Sequence, residues 1–120
     1  MAVMIREITS KEDYLKAKEF SKSDLVFILK HSLTCPVSFR AYSVFENFSK
    51  KHSDSGAHFF LVKIQSHRDV SNYIEMDTEI IHESPQVIVL KNEEVIWQDS
   101  HYMITEKALD DVFAGKFAKS

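Results

Sequence analysis

Residues 25–48, LVFILKHSLTCPVSFRAYSVFENF, hold a strand, a turn and a helix in succession, and the rest of the chain is read outward from them. Leu25-Val26-Phe27-Ile28-Leu29 is a continuous apolar run of strand length. A run without alternation reads as a strand covered on both faces, as in the middle of an α/β sheet. A short polar turn follows, from His31 to Thr34. Beyond Cys35-Pro36, the apolar positions Val37, Ala41, Val44, Phe45 and Phe48 recur at helical spacing. Pro36 suits the first turn of that helix, where a missing N–H is no loss. Lys50 and Lys51 place cations at its C-terminal end, where the dipole favours them.

Upstream, Val3 to Ile8 is expected as a short strand. Thr9-Ser10-Lys11-Glu12 offers a capping box, with Thr9 as cap and Glu12 three positions on. The helix it opens carries Tyr14, Leu15, Ala17 and Phe20 as its apolar stripe. Downstream, the loop Ser53-Asp54-Ser55-Gly56 leads to a strand from His58 to Ile64, then a helix from Asp69 to Ile80 with Val70, Tyr73, Ile74 and Asp77 on related faces. His82-Glu83-Ser84-Pro85 introduces a strand from Gln86 to Leu90. Asn92-Glu93-Glu94 turns it back as Val95 to Gln98, a hairpin. A last helix opens at Thr105 and runs through Val112-Phe113, with Gly115 as its stop. The order is βαβαβαββα, an α/β fold with a central mixed sheet and helices on both faces. Neither an internal repeat nor a linker interrupts it, so residues 1–120 are read as one domain.

Composition removes several function classes. With 44% hydrophobic and 28% charged residues the chain has the make-up of a globular protein and not of a disordered one. A net charge of −3 argues against a nucleic-acid partner, which calls for a basic face. The longest apolar run is too short to span a bilayer, and Met1 to Ile5 has no leader pattern, so no membrane association is expected. One cysteine closes no internal disulfide, and the reducing cytoplasm is the default location.

Cys35 lies where a buried strand gives way to the start of an amphipathic helix. Unpaired N–H groups and the positive end of the helix dipole gather there and stabilise an anion. The thiolate is such an anion and is the nucleophilic form of cysteine. Cys35 is therefore the candidate catalytic residue. Ser38 follows by one helical turn, which would bring its hydroxyl near the sulfur; it could equally cap the helix. Thr34 stands beside the sulfur or caps the helix. Pro85 precedes a core strand, and X-Pro bonds alone have an appreciable cis population. Six histidines are scattered with no metal-ligand spacing, so no metal site is read. His31 and His101 flank strand ends near the Cys35 loop and stay candidates.

Three stretches carry a family resemblance: Lys30-His31-Ser32-Leu33-Thr34-Cys35-Pro36-Val37-Ser38, Glu83-Ser84-Pro85-Gln86-Val87, and Val95-Ile96-Trp97-Gln98-Asp99-Ser100-His101. Together they resemble the monothiol bacilliredoxins of the thioredoxin-like superfamily. The resemblance implies a thioredoxin-like fold, a cytoplasmic location and a redox cysteine at Cys35, supported by Thr34, Pro36 and Ser38. It implies a cis-proline at Pro85 facing that cysteine. Ser84, Pro85 and His101 would then bind substrate, with the start of the last helix near His101 receiving a carboxylate. No cofactor would be bound; bacillithiol would be the co-substrate, and S-bacillithiolated client proteins the partners. Phe39 and Arg40 are bulkier than the resemblance leads one to expect.

Two other classes compete. Monothiol glutaredoxins that carry an iron–sulfur cluster also have one cysteine with Ser three positions later, but normally Gly after the cysteine, where this chain has Pro36. An interaction module without redox activity would have an unreactive Cys35.

Overall fold

A computed structural model of the chain describes residues 5–116. Val3 and Met4 of the expected first strand lie outside them; within them β1 is only Arg6–Glu7. The other elements are α1 (Lys11–Phe20), β2 (Val26–His31), α2 (Pro36–Lys51), β3 (His58–Lys63), α3 (Arg68–Thr78), β4 (Gln86–Lys91), β5 (Glu94–Ser100) and α4 (Glu106–Phe113). The five strands form one sheet in the order β1-β3-β2-β4-β5. β1, β3 and β2 are parallel, β4 pairs antiparallel with β2, and β5 pairs antiparallel with β4.

β2 is central and buried over its whole length, as the unalternating apolar run requires. Successive side chains enter opposite layers. Phe27 and Leu29 join Ala41, Phe45 and Phe48 of α2 and Leu109 and Val112 of α4 in one core. Val26 and Ile28 join Tyr14 and Ala17 of α1 and Val70 and Ile74 of α3 in the other. The strand continues past Leu29, so Lys30 and His31, the latter expected in a turn, are buried strand residues.

The first helix is capped one residue later than expected. Ser10 Oγ accepts from Asp13 N–H at 3.1 Å, and Asp13 Oδ2 accepts in return from the N–H and hydroxyl of Thr9. Leu15 is exposed and leaves the stripe to Tyr14 and Ala17. Tyr14 donates to Asp77 Oδ2 at 2.7 Å and Lys18 to the same carboxylate at 3.0 Å, binding α1 to α3. Asn92 and Glu93 alone form the hairpin turn, both with positive φ, and Glu94 already belongs to β5. Their N–H groups donate to the carbonyl and hydroxyl of Ser21 at the end of α1. β5 extends to Ser100 and is followed by a short 3-10 turn, His101–Met103, which sequence patterning did not reveal.

Candidate functional site at the start of helix α2

Cys35 is the N-cap residue of α2, half-buried and free. Its backbone is extended, and its carbonyl accepts from Ser38 and Phe39 N–H at 3.0 and 3.4 Å. Pro36 occupies the first helical turn, as its fixed φ favours. That turn carries no acid, so nothing there offsets the positive end of a 16-residue helix. The cap side chain itself makes no hydrogen bond to the helix. The half-buried thiol thus stands at the positive end of the helix dipole.

The loop before Cys35 is held by a compact polar network. Ser38, fully buried, accepts the Ser32 N–H at 2.8 Å and shares a 3.0 Å hydrogen bond with His31 Nδ1. The Ser38 hydroxyl thus braces the end of β2. Burial lowers the His31 pKa and favours the neutral ring, which packs edge-on against Phe39 at 5.1 Å. Thr34 is exposed and bonds to Ser32 and Gln65, not to the helix it was considered to cap. Gln65, just beyond β3, accepts the Leu33 N–H at 3.0 Å and donates to Ser32 Oγ at 2.8 Å. Gln65 escaped the sequence reading; the parallel pairing of His31 with Lys63 is the signal that places it level with Leu33.

The Ser84–Pro85 bond is cis. Gln86, the next residue, pairs with Lys30 near the end of β2 and with Ser100 at the end of β5. Pro85 therefore sits at the sheet end from which the Cys35 loop departs. Its carbonyl accepts the His101 N–H at 3.0 Å, and the Ser84 hydroxyl is buried without a partner. His101 has a positive φ and an exposed side chain, and it heads the 3-10 turn. It does not head the last helix: α4 begins at Glu106, its N-terminus is capped by the Thr105 hydroxyl, and Glu106 puts an acid in its first turn. A carboxylate is poorly served there. Arg40 reaches across from α2 to the Ile104 carbonyl at 3.2 Å and covers Tyr102, so its bulk ties the helix to that turn.

Residues 6–109 match the family described as monothiol bacilliredoxin BrxC. The chain belongs to the monothiol bacilliredoxin family. A solved structure described as an oxidoreductase with a thioredoxin fold shares 30% identity with it, over 91% of this chain and 93% of that one, at a TM-score of 0.81. The thioredoxin of Fasciola hepatica superimposes at 0.77 with 13% identity, over 94% and 100% of the two chains. That of Malassezia sympodialis superimposes at 0.73 with 17% identity, over 97% and 93%. The fold is thioredoxin-like, and the family and fold together make this a thiol oxidoreductase. No helix among the described residues is long and apolar enough to cross a membrane.

Proposed function

We propose that the chain is a monothiol thiol–disulfide oxidoreductase of the cytoplasm that removes bacillithiol from mixed disulfides on client proteins. The observation that carries this reading is a half-buried lone thiol at the cap of a long helix, at the same end of the sheet as the cis Ser84–Pro85 loop. The Cys35 thiolate attacks the bacillithiol sulfur of the mixed disulfide. The client sulfur leaves with the electron pair of the broken S–S bond, takes a proton and becomes a free thiol. Cys35 now carries bacillithiol. Ser38 holds a hydroxyl where a dithiol enzyme has its second cysteine, so a second external thiolate attacks the bacillithiol sulfur, carries it off as a new disulfide, and Cys35 leaves as the thiolate.

Docking of the client follows from what surrounds the sulfur. The Ser84–Pro85 loop is the backbone against which a client segment would pair, and the His101 N–H holds it through the Pro85 carbonyl. Leu33, Phe39, Ile81, Tyr102 and Met103 are all large, apolar and exposed, and they belong to the segments that meet at this end of the sheet. We assign a carboxylate of the bound thiol to the exposed His101 imidazole.

Mass spectrometry of the protein incubated with bacillithiol disulfide is expected to show one adduct, on Cys35. Cys35→Ser is expected to lose all reduction of a bacillithiolated client while keeping its circular dichroism spectrum. Turnover by that variant would remove the assignment.

A further inference from the structure

A second set of titratable groups lies behind the 82–85 loop, on the sheet face opposite α2. Lys30 is fully buried there. Its Nζ lies 3.2 Å from the Ser71 carbonyl and 3.3 Å from His82 Nδ1. The Ser71 hydroxyl lies 3.3 Å from the same ring nitrogen. An ammonium only donates, so Nδ1 accepts, and the neutral ring carries its proton on Nε2. The His82 N–H donates to Glu75 Oε2 at 2.6 Å. From the other side Gln86 donates to the Ile81 carbonyl at 3.1 Å. The loop is thus gripped from β2, α3 and β4 at once.

A buried ammonium is a costly way to fill space, since a methionine would pack there without desolvating a charge. What Lys30 adds over an apolar side chain is a directed tether to the loop. We propose that Lys30, His82 and Glu75 form a clamp that holds the 82–85 loop where a client's extended backbone can pair with it, and that protonation of His82 releases the loop. The clamp rests on the reading of that loop as the client platform; its members are positioning residues and touch no substrate.

Protonation removes the acceptor at Nδ1 and sets an imidazolium against the Lys30 ammonium. Burial lowers the His82 pKa below its ordinary 6.5, and Lys30 and Arg68 add to this against the opposing Glu75 and Glu83 carboxylates. The clamp is therefore closed at neutral pH and opens on acidification.

Two substrates separate the platform from the sulfur: a peptide disulfide-bonded to bacillithiol, and the mixed disulfide of bacillithiol with 2-mercaptoethanol, which carries the same thiol but no backbone to pair. The ratio of their kcat/KM values cancels the protonation of Cys35. In the wild type this ratio is expected to fall about fivefold as pH drops from 7 through the His82 titration, the size of one net hydrogen bond. His82→Gln keeps an acceptor for Lys30 but does not titrate, and its ratio should stay level. Lys30→Met should lower the ratio about fivefold at pH 7 through KM, with kcat unchanged. Nuclear magnetic resonance gives a readout independent of turnover: the Ser84 and Gln86 amides should titrate with a midpoint below 6.5 in the wild type, and not in His82→Gln. Silent wild-type amides, or an unchanged ratio in Lys30→Met, would overturn the clamp. Failure of the wild type to turn over either substrate would instead refute the proposed function, and the amide titration would still decide the clamp.

Discussion

Replacing Lys30 by methionine should make the protein more stable at neutral pH and less stable in alkali. Burial depresses the Lys30 pKa from 10.5 to about 8, against a smaller opposing effect of Glu75. At about 1.4 kcal/mol for each tenfold change in proton affinity, holding the charged form inside costs about 3 kcal/mol. Methionine removes that cost and also the two long hydrogen bonds to Ser71 and His82, each contributing about 1 kcal/mol. The net gain at pH 7 is about 1 kcal/mol. Because the folded pKa is depressed, the unfolded chain binds more protons between about pH 8 and 10.5. Wild-type stability therefore rises across that window as the penalty disappears. Methionine has nothing to relieve. The order of stability reverses, and the variant ends about 2 kcal/mol below the wild type near pH 10.5. Urea unfolding of both proteins at pH 7 and pH 10.5 measures this, and taking their difference cancels the other groups that titrate in alkali. A stability difference that stays constant with pH would refute the reasoning, since the ammonium would then be no better solvated unfolded than folded.

Ser38→Ala should cost about 2 kcal/mol in urea unfolding, because it leaves the buried Ser32 N–H and His31 Nδ1 without their shared partner; a neutral result would mean the hydroxyl does not brace the β2 end. Asp77→Asn should cost about 1 kcal/mol at pH 7 through the lost ion pair with Lys18. Burial works to raise the Asp77 pKa, but the Tyr14 hydroxyl and Lys18 outweigh it and hold the carboxylate below its ordinary 3.8. Its contribution is thus present above pH 3.8 and lost as pH falls through the folded value, so the two proteins should converge in acid.

β2, α2 and the cap position of Cys35 were legible because each rests on a strong local signal: an unbroken apolar run, a 3.6-residue period and a proline at the first helical turn. The α1 cap was not, because Thr9-x-x-Glu12 and Ser10-x-x-Asp13 satisfy the same capping pattern and only the packed chain chooses between them. Ser38 shows the limit of spacing arguments. One helical turn does place it near Cys35, but the end of β2 offers its hydroxyl two buried partners that no local pattern contains. The sequence reads His31 as part of a turn for a related reason: polar residues after an apolar run suggest one, whereas here cross-strand pairing with β3 carries the strand through it. The hairpin and the last helix fell close to their expected bounds, and the intervening 3-10 turn, three residues long, has no periodicity to detect.

The two margins of the sheet bear on how an extended peptide finds this protein. Among the described residues one margin is β1, Arg6–Glu7, both charged, with Glu7 paired to Lys63 and Arg6 laid over Phe20 and Phe60. The other is β5, whose register with β4 slips between Val89 and Leu90 and twists the strand. Charged margins and bulged ones are poor templates for another chain. Neither side of the sheet invites indiscriminate strand addition, so copies of the protein are discouraged from zipping together edge to edge. On the proposed function, the backbone left for recognising a client is the Ser84–Pro85 loop, at the sheet end from which the Cys35 loop departs.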